Sequence, residues 1–191
     1  TNVREGYTRE QSFWESQSNL DKGMRLDTLL RALGFQTAMS RITNTTADDK
    51  DLYDIVCEAN AYNADFMLSI HSNAGAPSNY ILQIHSGITP GDPKGLEGYS
   101  DVVPQAISEE ARAITTLMGA NQYMNEVSCW SREPNIAGDK TFARTVMGWS
   151  NGYGVLRWLR VPGTISEGMM HDYLPETYRL MNIDYKRQES F

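Results

Sequence analysis

Few residues in this chain are suited to chemistry. Its 191 residues include three histidines, His71, His85 and His171, and imidazole is the side chain best able to hold a metal or move a proton near neutral pH. His71 closes the apolar run FMLSIH, and Glu167 closes a similar one, VPGTISE. If the two strands predicted there run parallel, both side chains emerge at one carboxyl edge of a sheet, where open α/β proteins bind their ligands. Glu15 stands just ahead of a predicted helix, and helix starts in βα units lie at that same edge. The three segments can therefore meet at one cleft, with groups fit for metal binding or acid–base work. Taken singly, each has a plainer reading: Glu15 as the partner of a helix N-terminus, His71 as a solvated or hydrogen-bonded strand end. Glu167 is flanked by Ser166 and Gly168, small neighbours that leave a ligand room to approach.

The elements that must carry these residues alternate along the chain. A helix is predicted from about Ser16 to Leu33, with Leu26, Leu29, Leu30 and Leu33 at helical spacing and Gly34 as the residue that ends it; Gly23 weakens its first turns. FQTAMSR alternates and reads as a strand. A second helix follows, with Leu52, Ile55, Val56 and Ala59 on one face and Asp48 or Thr46 as its cap. FMLSIH and NYILQIHSG are strands parted by the turn-rich SNAGAPS, and Gly87–Pro104 is a long Gly- and Pro-bearing loop. A third helix begins at Ser108, NEVSCWSREPNIAGDK is irregular, GYGVLRWL and PGTISEG read as two strands, and LPETYRLMN is a closing helix. No repeat interrupts this order, which predicts one α/β domain over residues 1–191, a three-layer αβα sandwich on a mostly parallel sheet.

Composition narrows the partners. The net charge is −7, and no basic patch interleaved with aromatics appears, which argues against nucleic acid and against anionic membrane surfaces. No apolar run approaches the ~18 residues of a membrane-spanning helix. The chain opens on Thr1, which is compatible with a leader removed upstream. Cys57 and Cys129 form no metal motif; they can pair, but Cys57 lies on an apolar helical pattern and reads as a buried thiol.

Four motifs in order carry a resemblance. ADFMLSIHSNA resembles the signature of the zinc-dependent N-acetylmuramoyl-L-alanine amidases, in which a strand ends in Ser-Ile-His and an Asn follows. WESQSNLDKGMRLDTLLRALGFQTAMSR resembles that family's zinc-binding Glu, its Asn-Leu helix opening and a strand ending in Arg. LYDIVCEANAYNAD resembles the helix that leads into the His strand. GVLRWLRVPGTISEG resembles the late segment in which a Val-Leu-Arg run and a Pro precede the catalytic Glu. Each motif is weak alone; their order over nearly the whole chain is specific.

By position, the resemblance implies Glu15 and His71 as ligands of Zn2+ and Glu167 as the catalytic carboxylate. Asn73 follows that His strand as in the family, His171 stands four residues past Glu167 and so close to the proposed cleft, and Arg157 can hold a substrate carboxylate although a structural ion pair suits it better; these three are the substrate-binding candidates, and His85 matches no ligand. The family's remaining histidine lies in a Gly-His-Gly loop that has no counterpart before Glu15. This implies a domain trimmed at both ends, its first strand and first zinc histidine upstream of Thr1. Ile55, where the family often has Arg, touches only a local salt bridge. The implied reaction is hydrolysis of the amide between N-acetylmuramic acid and L-alanine in peptidoglycan. The implied place of action is periplasmic or extracellular, and the loops Gly87–Pro104 and Glu126–Gly152 would wall a substrate groove. Two rivals stand beside it: a metal-free cell-wall-binding module of the same fold, and a carboxypeptidase-like zinc peptidase.

Overall fold

A computed structural model of the chain describes residues 13–75, 80–92, 105–125, 127 and 133–182. The first helix, α1 (Glu15–Ala32), runs unbroken through Gly23, which faces Met39 and Ile70. It ends as the sequence predicts. Gly34 takes a left-handed φ of 91°, its N–H donates to the Arg31 carbonyl at 3.0 Å, and Phe35 N–H donates to Leu30 at 3.0 Å. These two bonds satisfy carbonyls that the helix end would otherwise leave bare. α2 (Leu52–Tyr62) is capped by Asp51, which accepts from Tyr53 N–H at 2.8 Å. Asp48 and Thr46 are not its cap; both lie in a separate 3₁₀ turn. Val56 faces the core, and the next position turns away from it, so Cys57 is an exposed free thiol and not the buried one expected. Cys129 lies outside the described residues.

Among the described residues the central sheet has four strands in the order β1-β4-β2-β3: β1 (Met67–Asn73), β2 (Leu82–His85), β3 (Asn135–Gly138) and β4 (Gly163–Met170). β1 pairs parallel with β4, β2 pairs parallel with β3, and β2 and β4 are antiparallel. The sheet is thus mixed and mostly parallel, with helices packed on it, as an αβα sandwich requires. Alternation along the strands divides the layers. Leu82, Ile84 and Ile165 share a core with Val56, Phe142, Val155 and Leu156 on one face. The opposite face carries Gln83 and Ser166, bonded at 2.9 Å and joined by Gln122 of α3 (Gln105–Met124). Ile70, next to α1, is the register partner of Ser166 and so lies on that second face.

Four predicted elements differ. FQTAMSR forms no strand: residues 35–39 pair with no neighbour among the described residues, and an alternating segment becomes a strand only against a partner edge. Asn135–Gly138, inside the stretch read as irregular, is β3, and the helical turn α4 (Asp139–Phe142) follows it. Ser108 does not cap α3, which starts at Gln105. GYGVLRWL is not a strand but carries a short helix, α5 (Gly154–Arg157), a short apolar run being equally compatible with either state. The closing helix is α6 (Leu174–Met181). Residues 93–104, most of the long loop, lie outside the described set.

Candidate metal and acid–base site

His71 and Glu167 are register partners on the parallel strands β1 and β4, so their side chains leave the same face of adjacent strands about 4.8 Å apart. Beyond them the ladder slips. From His71 to Asn73 β1 advances two residues while β4 advances three, from Glu167 to Met170. The extra residue falls in the Gly168–Met169 stretch, and such bulges re-aim the chain beside active sites. Glu15, the first residue of α1, reaches this corner from the adjoining helix end.

Glu15 Oε1 lies 3.3 Å from His71 Nδ1 and accepts from Ser72 N–H at 3.1 Å and from Asn19 Nδ2 at 3.1 Å. Burial works to raise the Glu15 pKa, but the hydrogen bonds from His71 and Ser72 and the nearby imidazoles together bring it down to about 2. The carboxylate is therefore ionised at neutral pH. His71 is pushed up, first by its hydrogen bond to Glu15, against the opposing effect of burial, and then by the charge of Glu167. His171 follows β4, is buried, stacks on Phe13 and donates from Nδ1 to the Ser72 carbonyl at 2.6 Å. That bond fixes its tautomer, and the same nitrogen stands 3.8 Å from Glu15 Oε2.

The other predicted residues are placed as follows. Asn73 ends β1; its carbonyl accepts from His171 N–H at 2.8 Å and its side chain from Ala74 N–H at 2.8 Å. Arg157 sits on α5 with its guanidinium 5.1 Å over the Trp158 ring, ahead of the start of β4 and away from the Glu15–His71 pair. His85 is buried, with Nδ1 on the Ser86 carbonyl at 3.0 Å, and burial lowers its pKa.

Two groups escaped the sequence reading. Asn19 and Lys22 recur at four and seven residues from Glu15, so a polar stripe on α1 faces the sheet, and both are buried. That spacing is legible beside the leucines of the same helix, of which Leu33 is 75% exposed. Tyr153 is the second. Its N–H donates to buried Asp139 at 2.7 Å, and its hydroxyl is pushed up to about 12 by burial and then by the charges of Glu167 and Asp139. Trp149, 45% exposed, meets its ring edge-on at 5.2 Å.

Whether a metal suits this corner can be judged from its spacing. A charge-assisted hydrogen bond normally closes to about 2.7–2.9 Å, whereas two ligand atoms on one tetrahedral zinc stand about 3.3–3.5 Å apart. The Glu15–His71 distance of 3.3 Å suits two ligand atoms on one ion as well as the hydrogen bond the pair makes with each other, so both side chains can serve as ligands without being moved apart. Among the described residues no group of three His, Cys, Asp or Glu side chains is gathered for a metal.

A family model described as N-acetylmuramoyl-L-alanine amidase matches residues 2–188. No curated protein matches the chain by sequence. Similar solved structures include the catalytic domain of CwlV, an N-acetylmuramoyl-L-alanine amidase from Bacillus (Paenibacillus) polymyxa var. colistinus, at 15% identity and TM-score 0.63, covering 95% of this chain and 81% of that one. The N-acetylmuramyl-L-alanine amidase Ami1 of Mycobacterium smegmatis aligns at 15% identity and TM-score 0.65, over 98% of this chain and 76% of that one. An N-acetylmuramoyl-L-alanine amidase of Clostridium difficile 630 aligns at 18% and 0.67, over 100% and 85%. At these identities the likeness is one of fold.

Proposed function

The chain belongs to the N-acetylmuramoyl-L-alanine amidase family, and from that premise we propose that it hydrolyses the amide joining N-acetylmuramic acid to L-alanine in peptidoglycan. What supports this reading is that His71 and Glu167 are register partners on adjacent strands and that Glu15 Oε1 lies 3.3 Å from His71 Nδ1. Glu15 and His71 would hold Zn2+, with the remaining ligand from beyond the described residues. What zinc supplies when bound is an acidified water and a polarised carbonyl. Glu167 takes the proton of the attacking water and returns one to the leaving amine. Its half-buried place beside the imidazole of His71 suits that exchange. Asn73 and His171 shape the near rim of the site, and Arg157 is assigned to a more distant part of the substrate.

The domain would span residues 1–191 and accept a further strand. Among the described residues β1 lies at the sheet edge, which leaves room beside it for a strand carrying the third ligand. No helix of the described residues is long and apolar enough to cross a membrane. The proposed place of action is the cell envelope, periplasmic or extracellular, where peptidoglycan is found.

The test is digestion of purified peptidoglycan, with mass spectrometry of the soluble products and metal analysis of the protein. Intact stem peptides with free L-alanine amino termini, released in a chelator-sensitive way, are the expected result. Release of C-terminal stem residues would replace this reading with a carboxypeptidase-like one. Pelleting with the wall and no release would replace it with a binding module. A further expectation concerns the groove: Trp149→Ala should raise KM on polymeric peptidoglycan about fivefold with kcat unchanged, in line with the roughly 1 kcal/mol of an aromatic contact. An unaltered KM would take Trp149 out of the groove.

A further inference from the structure

Lys22 is 2% exposed. Taking an ammonium out of water costs several kcal/mol unless hydrogen bonds compensate, so its placement needs a reason. Nζ donates to the His71 carbonyl at 3.3 Å and to Ser72 Oγ at 3.2 Å. The His71 carbonyl and the Ser72 N–H belong to a single peptide unit, and that N–H donates to Glu15 Oε1 at 3.1 Å. A cation thus holds the oxygen end of one peptide group while the proposed carboxylate ligand holds its nitrogen end. Hydrogen bonds in such a chain polarise one another. A second path closes the loop: Ser72 Oγ donates to Asn19 Oδ1 at 3.3 Å, and Asn19 Nδ2 donates to the same Glu15 oxygen at 3.1 Å.

We infer that Lys22 is a positioning residue for the metal-ligand pair, gripping the His71–Ser72 peptide so that Glu15 and His71 are held at ligand spacing from behind. The inference rests on the proposed metal reading for its consequence, but its physical content, a peptide clamped between Lys22 and Glu15, is separate from it. It differs from ordinary core packing in a readable way. Removing the ammonium alone takes a donor from the His71 carbonyl and from Ser72 Oγ, which lowers stability whatever the role of Lys22, whereas only loss of a group that orients ligands also lowers metal affinity, by about ten- to a hundredfold.

The experiment compares the full chain with its Lys22→Met and Ser72→Ala variants and their combination. Three readouts are taken: thermal melting, hydrogen exchange of the Ser72 amide, and zinc affinity by chelator competition. Lys22→Met is expected to melt somewhat below the parent temperature, to exchange the Ser72 amide about tenfold faster, and to bind zinc about ten- to a hundredfold more weakly. Ser72→Ala should do part of this, and the double variant should show less than the sum, since the two share one network. Unchanged Ser72 exchange in Lys22→Met overturns the inference, as does a drop in melting temperature with exchange and zinc affinity preserved. A parent chain that holds no zinc would defeat the metal reading alone. The exchange result would still decide whether Lys22 clamps the peptide.

Discussion

Glu167→Gln is expected to lower kcat on peptidoglycan by about a hundred- to ten-thousandfold, the usual contribution of a positioned general base, with KM and zinc content close to those of the parent. The substitution keeps the shape of the side chain and removes only its capacity to take a proton. The position allows such a clean separation. Glu167 is held by two ladders, opposite His71 on β1 and opposite Leu82 on β2, so the backbone does not depend on the carboxylate. Stopped assays on purified peptidoglycan, with circular dichroism to confirm the fold, provide the measurement. A fall of less than about threefold would remove Glu167 from the proton-transfer role and favour the wall-binding reading.

The legible part of this molecule is what the chain orders locally. FMLSIH, PGTISEG and the closing helix were identifiable because their apolar residues recur with the period of the element they form. Gly34 marked a helix end because a left-handed residue is needed there. The shared edge of His71 and Glu167 was legible only on the condition that their strands run parallel, which β1 and β4 meet. The errors came where a partner decides. FQTAMSR has the alternation of a strand and none of the pairing among the described residues. NIAG, too short to carry a pattern, becomes β3 because β2 offers it a full register from Leu82 to His85. Lys22 shows the same limit from the polar side: a lysine on a helix reads as solvated until the peptide it grips, 49 residues away, is known.

The site also depends on how the opposite end of the sheet is closed, and one glycine there cannot be replaced cheaply. Gly138→Ala is expected to destabilise the protein by about 3 kcal/mol, the upper end for overpacking a rigid site. For a chain of this size that lowers the melting temperature by close to 10 °C. A Cβ on Gly138 would stand 2.1 Å from the Ile88 carbonyl carbon and 2.3 Å from Thr89 N. Both are backbone atoms, so no side chain can swing aside. The crossing is also tied on every side. Gly138 N–H donates to Thr89 Oγ1 at 2.9 Å, Thr89 N–H to Thr141 Oγ1 at 2.9 Å, and Thr141 Oγ1 to Asp92 at 2.6 Å. Asp92 is in turn ion-paired with Arg144, and Lys140 N–H donates to the Gly87 carbonyl at 2.8 Å. Moving the loop to admit a methyl group would break several of these bonds at once. Gly23→Ala is the control, because a Cβ there would stand at ordinary contact distance, 3.4 Å from the end of Met39 and 3.6 Å from Ile70, and alanine is favoured in a helix by about 1 kcal/mol. Thermal melts of the two variants side by side decide the matter. A Gly138→Ala protein melting within about 2 °C of the parent would mean that the strap over β3 yields, and that the β2–β3 end of the sheet is not the fixed support on which Leu82, and through it Glu167, is aligned.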